Sequence, residues 1–224
     1  MNLKQTPVHE ASNPDLLQLI PAISKNLIEV GCSSGALARD YKKINPGVHY
    51  FGIEIDPEYT ERAQRHCDEA ITLDIQTAGP EFWDAQKHRD CWVFGDVLEH
   101  LYDPWGILRK IRKVIPSHGS VVACIPNMQH WSIQAKLSIG DLRYQDSGLL
   151  DRTHIRWFTR QTIVELFSQT GFAVKSGIPR IFPEPQRAQF MPIIRRMAEA
   201  VGADPNMAET DATPMQYVIL AQPS

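Results

Sequence analysis

The chain has 224 residues, 43% hydrophobic and 22% charged, with a formal net charge of −3. That length suits one domain with a sizeable core, here read as residues 1–224, and the composition excludes a disordered or low-complexity chain. A negative balance without runs of Lys or Arg argues against a nucleic-acid partner held by many phosphate contacts, and no apolar stretch reaches the ~20 residues that span a bilayer.

Residues 1–26 are polar and read as a helical lead-in, with Asn13-Pro14 opening a short helix and Pro21 closing it. Leu27 to Val30 is the first predicted strand. A helix follows from Gly35 to Ile44, stopped by Asn45-Pro46-Gly47. The second strand, His49 to Ile55, precedes a helix opened by Pro57 and running to about Cys67. Glu69 to Leu73 and Cys91 to Phe94 are the third and fourth strands. Pro104 starts a helix whose apolar positions Ile107, Leu108, Ile111 and Ile115 keep helical spacing. Ser120 to Ile125 is rich in Val and Ile, as a buried parallel strand is.

Residues 126–158 carry Trp131, Tyr144, Trp157 and Phe158 without a period, and long irregular segments of this kind are usually functional. Thr159 is the predicted N-cap of a helix with the stripe Ile163, Leu166 and Phe167, ended by Gly171. Phe172 to Lys175 is the sixth strand. Residues 179–212 hold several prolines and one amphipathic piece, Ile193, Ile194, Met197 and Val201, ending at Gly202. Gln216 to Ala221 is the seventh strand. The alternation predicts an α/β chain: a doubly wound, mainly parallel seven-stranded sheet with helices on both faces and ligand outside the carboxyl ends of the strands.

No basic segment followed by an apolar core opens the chain, so no secretory signal is expected. Cys32, Cys67, Cys91 and Cys124 lack Cys-x-x-Cys spacing and read as reduced, buried thiols of a cytoplasmic protein.

The run Leu27-Ile28-Glu29-Val30-Gly31-Cys32-Ser33-Ser34-Gly35 drives a strand into a glycine turn, and Phe51-Gly52-Ile53-Glu54-Ile55-Asp56 ends the next strand on carboxylates. This is how a parallel sheet builds a nucleoside pocket, with an acid placed to accept ribose hydroxyls. Gly31, Ser33 and Gly35 stand where Gly-x-Gly-x-x-Gly is expected for a dinucleotide, and Glu29 suits a cationic ligand better than a pyrophosphate. The pattern resembles motif I of class I S-adenosylmethionine (SAM) methyltransferases, Glu-x-Gly-x-x-x-Gly. The resemblance implies a Rossmann-like fold and SAM as cofactor. It also implies Glu54, which follows Gly52-Ile53, as ribose ligand, leaving Asp56 to cap a helix. Asp74 would accept the adenine amino group, with Ile75 packing on the ring.

Gly95-Asp96-Val97-Leu98-Glu99-His100-Leu101 is similar to the segment after the fourth strand in SAM enzymes acting on small molecules, which adds Asp96 to the cofactor residues. In a helical turn Asp96, Glu99 and His100 would share a face. Asp151-Arg152-Thr153-His154-Ile155-Arg156-Trp157-Phe158-Thr159, with Ile125-Pro126-Asn127-Met128-Gln129-His130-Trp131, looks like bacterial methyltransferases tied to surface-polysaccharide and glycan assembly. The likeness covers about residues 9–175, leaving 126–158 and 179–212 as acceptor-side segments.

A remoter resemblance, to small-RNA ribose methyltransferases and ubiquinone-pathway O-methyltransferases, implies Mg²⁺, Mn²⁺ or Zn²⁺ held by Asp96, Glu99, His100 and His154. An alcohol needs a base or a metal to become a nucleophile, and His154 or His100 is the candidate base. The aromatic residues of 131–158 would stack on a sugar, and Arg143, Arg152 and Arg156 would grip a phosphate or carboxylate. The expected activity is O-methylation of a sugar or glycan precursor. The alternatives are a small-molecule or quinone-ring O-methyltransferase, an RNA ribose 2′-O-methyltransferase, and a SAM-binding partner protein without catalysis. The oligomeric state is left open.

Overall fold

The computed structural model describes residues 10–224, so residues 1–9 of the predicted lead-in lie outside the described residues. One seven-stranded sheet organises the chain. In chain order its strands are β1 (Asn26–Val30), β2 (His49–Glu54), β3 (Glu69–Thr72), β4 (Cys91–Gly95), β5 (Ser120–Pro126), β6 (Phe172–Arg180) and β7 (Gln216–Pro223). Their spatial order is β3-β2-β1-β4-β5-β7-β6. The first five strands run parallel, while β7 pairs antiparallel with both β5 and β6. The fold is therefore the predicted mainly parallel α/β sheet. Order reverses between β1 and β4, which opens a crevice at their carboxyl ends.

The helices are α1 (Pro14–Leu19), α2 (Ala36–Ile44), α3 (Pro57–Ala63), α4 (Pro80–Ala85), α5 (Pro104–Val114), α6 (Trp131–Ser138), α7 (Arg160–Ser168), α8 (Arg187–Ala200) and α9 (Pro205–Ala212). Two apolar clusters flank the sheet. One joins Ile28, Phe51, Trp92 and Phe94 to Ile107, Leu108 and Ile111 of α5 and Ile163, Leu166 and Phe167 of α7. The other joins Leu27, Tyr50 and Val93 to Leu16 of α1 and Leu37 and Tyr41 of α2. Strands β1, β2, β4 and β5 are thus buried on both faces, as their apolar runs require, while the edge strand β3 stays partly exposed.

Thr159 caps α7 in a reciprocal capping box with Thr162, as its position predicted. Three expectations change. Residues 126–158 are not wholly irregular, because α6 lies within them. The sixth strand runs to Arg180, held by eight register pairs with β7 that no local period reveals. In α8 the buried face is Met191, Ile194 and Ala198, while Ile193, Met197 and Val201 are exposed. That face is chosen by its partners, Trp131 and Ala212, rather than by the hydrophobicity of the helix itself. All four cysteines are buried and unbridged. No helix among the described residues is long and apolar enough to cross a membrane.

Candidate active site

A cavity of about 680 Å³ opens at the carboxyl ends of β1, β2 and β4. Its floor begins at the glycine turn. The amides of Gly31 and Cys32 donate to the Ile53 carbonyl at 2.8 and 3.1 Å, tying the turn to β2. Gly31 has φ +72°, and a Cβ there would meet Val97 Cγ2 at 2.5 Å. Glycine is required at this position by the approach of the turn after β4.

Ser33, itself at φ +48°, donates its amide to Glu54 Oε2 at 2.7 Å. Glu54 Oε1 accepts from the amides of Ile55 (2.8 Å) and Asp56 (3.2 Å). Three backbone donors therefore pin this buried carboxylate at the cavity wall. Asp56 takes the role foreseen for it as the cap of α3. Asp74 also lines the cavity, using Oδ1 to cap the short turn that carries buried Ile75.

Two of the predicted cofactor residues stand behind the wall. Gly35, at φ +80°, caps α2 where a Cβ would press on the Ala63 backbone at 3.1 Å; its need is helix packing. Glu29 is buried and accepts from the Tyr50 hydroxyl at 2.8 Å. Burial is the main cause that raises its carboxyl to about 8, opposed by the Tyr50 hydrogen bond and assisted by the charge of Glu54. Neither residue lines the cavity: strand alternation aims the Glu29 side chain into the core, and Gly35 packs at the start of α2 against α3.

The turn after β4 brings the other half of the site. Asp96 has φ +57°, and only Leu98–His100 form a short 3-10 turn. The predicted helical face shared by Asp96, Glu99 and His100 is therefore not formed. Asp96 instead receives the side-chain amide of Gln216 at the start of β7. Ligand atoms of Glu99, His100 and His154 lie within 4.8 Å of one another, and Asp96 is not in that group.

Glu99 is 1% exposed, and neither of its oxygens has a hydrogen-bond partner among the described residues. Burial, then the nearby charge of Asp96, pushes its carboxyl well above the usual range. His100 Nδ1 lies 3.1 Å from the Thr153 carbonyl, and His154 Nδ1 lies 3.3 Å from the Leu149 carbonyl. A carbonyl only accepts, so each Nδ1 carries the proton and each Nε2 keeps a lone pair. Burial lowers the basicity of both rings, and for His154 the neighbouring His100 adds to it. The 3.9 Å approach of His154 Nε2 to Glu99 is thus one of neutral groups rather than an ion pair.

The aromatic segment does not behave as predicted. Trp131 is buried against Phe190, with its indole N–H on Glu184, and Phe158 is in the core. None of Trp131, Tyr144, Trp157 and Phe158 lines the cavity; Tyr59, Tyr102 and Phe182 do. The arginines are engaged: Arg143 with Asp141, Arg152 with Asp146, Arg156 with the Tyr102 carbonyl. Gln216, Phe182 and Tyr102 escaped the sequence reading because each reaches the cavity through a loop or an antiparallel strand end. Asp151, which also lines it, stood in the quoted Asp-Arg-Thr-His string without a role of its own.

A crevice at a strand-order reversal, with a carboxylate pinned after β2 and a polar turn after β4, is the place where an open α/β sheet binds a nucleoside-type ligand. Residues 9–176 match a family model described as a methyltransferase domain, and the chain belongs to that family. Solved structures of the same fold include SAM-dependent methyltransferases. No curated protein matches this chain. Among solved structures it is similar to a SAM-dependent methyltransferase from Mesorhizobium loti, with TM-score 0.61 and 16% identity over 93% of this chain and 96% of that one. It is also similar to the mitomycin 7-O-methyltransferase MmcR, with TM-score 0.61 and 13% identity over 94% of this chain. This chain spans only 52% of MmcR. A third likeness is to magnesium protoporphyrin IX methyltransferase from Synechocystis PCC 6803 with bound S-adenosylhomocysteine (SAH), with TM-score 0.55 and 12% identity over 88% and 74% of the two chains. At these identities the likeness is one of fold.

Proposed function

We propose that the protein is an O-methyltransferase that uses SAM to methylate a hydroxyl of a small acceptor, a sugar or glycan precursor. The observation that carries the reading is a pair of neutral imidazoles with free Nε2 lone pairs beside a buried, unpartnered carboxylate at the cavity wall. Glu54 is the ribose residue and Asp74 with Ile75 the adenine residues; Asp96 belongs to the same lining. The acids of that lining suit a cationic ligand. When bound, SAM supplies a methyl group on a sulfonium centre.

His154 is the base. Its Nδ1–H is spent on Leu149, and burial keeps the ring neutral at ordinary pH, so Nε2 takes the acceptor's hydroxyl proton. His100, held in the same tautomer by Thr153, is the alternative base. Glu99, His100 and His154 also suit a divalent ion: a carboxylate with both oxygens unpartnered and two lone pairs is a complete set of donors. Two imidazoles favour Zn²⁺ or Mn²⁺ over Mg²⁺. An ion held there would supply charge that acidifies the acceptor hydroxyl. The acceptor class rests on the likeness of Asp151–Thr159 to glycan-assembly methyltransferases. A second reading, a quinone-ring or other aromatic acceptor, is favoured by Tyr102 and Phe182 in the lining.

The test is SAH release with a panel of sugars, glycans and catechols, alongside the SAH-induced rise in Tm. His154→Ala should leave that rise intact and lower turnover by ~10²-fold or more. Wild-type turnover in that variant would make His154 structural. Exhaustive chelation with elemental analysis separates the two modes: full activity without metal leaves the imidazole as sole activator, whereas loss rescued by one ion supports the metal. SAH binding without release from any acceptor would favour a partner protein without catalysis.

A further inference from the structure

We propose that Arg180 and Gln216 are positioning residues for cofactor binding: with Asp15 of α1 they form a line of hydrogen bonds that holds Asp96 at the cavity wall. This deepens the proposed function and rests on its assignment of Asp96 to the SAM lining. The side chains come from distant parts of the chain. Arg180 Nε donates to Asp15 Oδ2 at 2.9 Å, and Arg180 Nη1 donates to Gln216 Oε1 at 2.5 Å. The Gln216 NH₂ then donates to Asp96 Oδ1. An arginine only donates, so it claims Gln216 Oε1 and turns the NH₂ of that amide toward Asp96. Arg180 and Gln216 are register partners across β6 and β7, so strand pairing sets the spacing of the line.

Asp96 needs such support. It stands at φ +57°, a conformation uncommon outside glycine, and one that persists where the surroundings impose it. Its amide donates to the Cys124 carbonyl at 3.2 Å, which ties the backbone of the turn to β5. The Gln216 bond ties the side chain. Helix α1 also braces this turn directly: Leu16 Cδ1 lies 3.2 Å from where a Cβ on Gly95 would stand. Adjacent residues of α1 thus reach adjacent residues of the turn, Leu16 by contact with Gly95 and Asp15 through the line to Asp96.

Arg180 is itself held in place. Its guanidinium lies over the Phe182 ring, 5.3 Å from the centroid, while its nitrogens face Asp15 and Gln216. The fixed planar fork of an arginine spans these three partners at once, a geometry that the single ammonium nitrogen of a lysine does not reproduce. Asp96 and Gln216 line the cavity, whereas Asp15 and Arg180 do not. Whatever Asp15 and Arg180 contribute to a ligand is therefore transmitted through the residues they orient.

The experiment is titration calorimetry of SAH with the whole chain, and the Tm of unliganded protein verifies that each variant folds. Gln216→Ala and Arg180→Lys should each raise the SAH dissociation constant ~5–10-fold, the scale of one lost hydrogen bond. Asp15→Ala should raise it too, and Asp15→Asn, which keeps an oxygen for Arg180, should restore most of the affinity. The decisive arm is a double-mutant cycle on binding. Asp96→Gly removes the carboxylate and suits the positive φ. In that background Gln216→Ala should cost no more than ~2-fold, since the group it positions is gone. A merely structural role for Gln216 would persist there undiminished. An undiminished loss in Asp96→Gly, or wild-type affinity in folded Gln216→Ala or Arg180→Lys, would overturn the inference and leave the proposed function standing. Wild-type protein that binds no SAH would overturn both.

Discussion

Replacing Gly31 by alanine tests how the glycine turn is built. Two separable penalties apply. The backbone stands at φ +72°, where an L-residue costs about 1–2 kcal/mol. The new methyl also lands 2.5 Å from Val97 Cγ2, and overpacking of that kind costs about 1–3 kcal/mol. Together they remove on the order of 2–5 kcal/mol, a large share of the 5–15 that holds a typical domain. Urea unfolding followed by tryptophan fluorescence reads the change as a lower midpoint at constant m. Val97→Ala in the Gly31→Ala background removes the clashing methyl and should restore the steric part only, leaving the backbone cost. The double-mutant cycle should therefore show favourable coupling of ~1–3 kcal/mol. Gly31→Ala within ~0.5 kcal/mol of wild type, or Val97→Ala without rescue, would refute the account. Because Val97 follows Asp96, any shift it makes is carried to the carboxylates of the cavity, so SAH binding should weaken in parallel.

Three further outcomes follow from buried groups. Glu29 has its carboxyl raised from 4.5 to about 8, so folding favours its protonated form and its contribution to stability is lost as pH rises between those values. Glu29→Gln should abolish that decline, up to about 1.4 kcal/mol per pH unit, in unfolding midpoints taken across the window. Glu99→Leu removes a buried carboxylate with no partner and should stabilise chelated protein by ~1–3 kcal/mol at neutral pH, while abolishing metal uptake in titration calorimetry. Since burial lowers His100 and His154 below the ordinary 6.5, the acid limb of the kcat–pH profile should fall below that value, and a limb above it would remove both as the base.

Much of this molecule is legible without coordinates. The five parallel strands, the glycine turn, Glu54 after β2 and the capped helix at Thr159 all follow from local chemistry: apolar runs, turn residues and caps act within a few residues of themselves. The residues Glu99, His100 and His154 were likewise singled out from their motifs. What local pattern could not supply was direction. Glu29 and Gly35 belong to the recognised motif yet serve the core beneath the cavity, since a side chain's aim is set by strand register and by what packs against it. The aromatic residues of 131–158 were read as sugar platforms, but Trp131 is claimed by Phe190 and Glu184, more than fifty residues away in sequence.

The sequence by itself pointed to the class, through the resemblance of the Glu29–Gly35 turn to methyltransferase motif I and the acid Glu54 at the next strand end. Only the tertiary structure decided which carboxylates meet in that pocket. Asp96 is held by Gln216, 120 residues onward, while Glu99 and His154 converge from segments 55 residues apart. Those encounters depend on an antiparallel β7 inserted between β5 and β6 and on a loop returning over β4. Long-range packing sets both, and no periodicity in the chain encodes it.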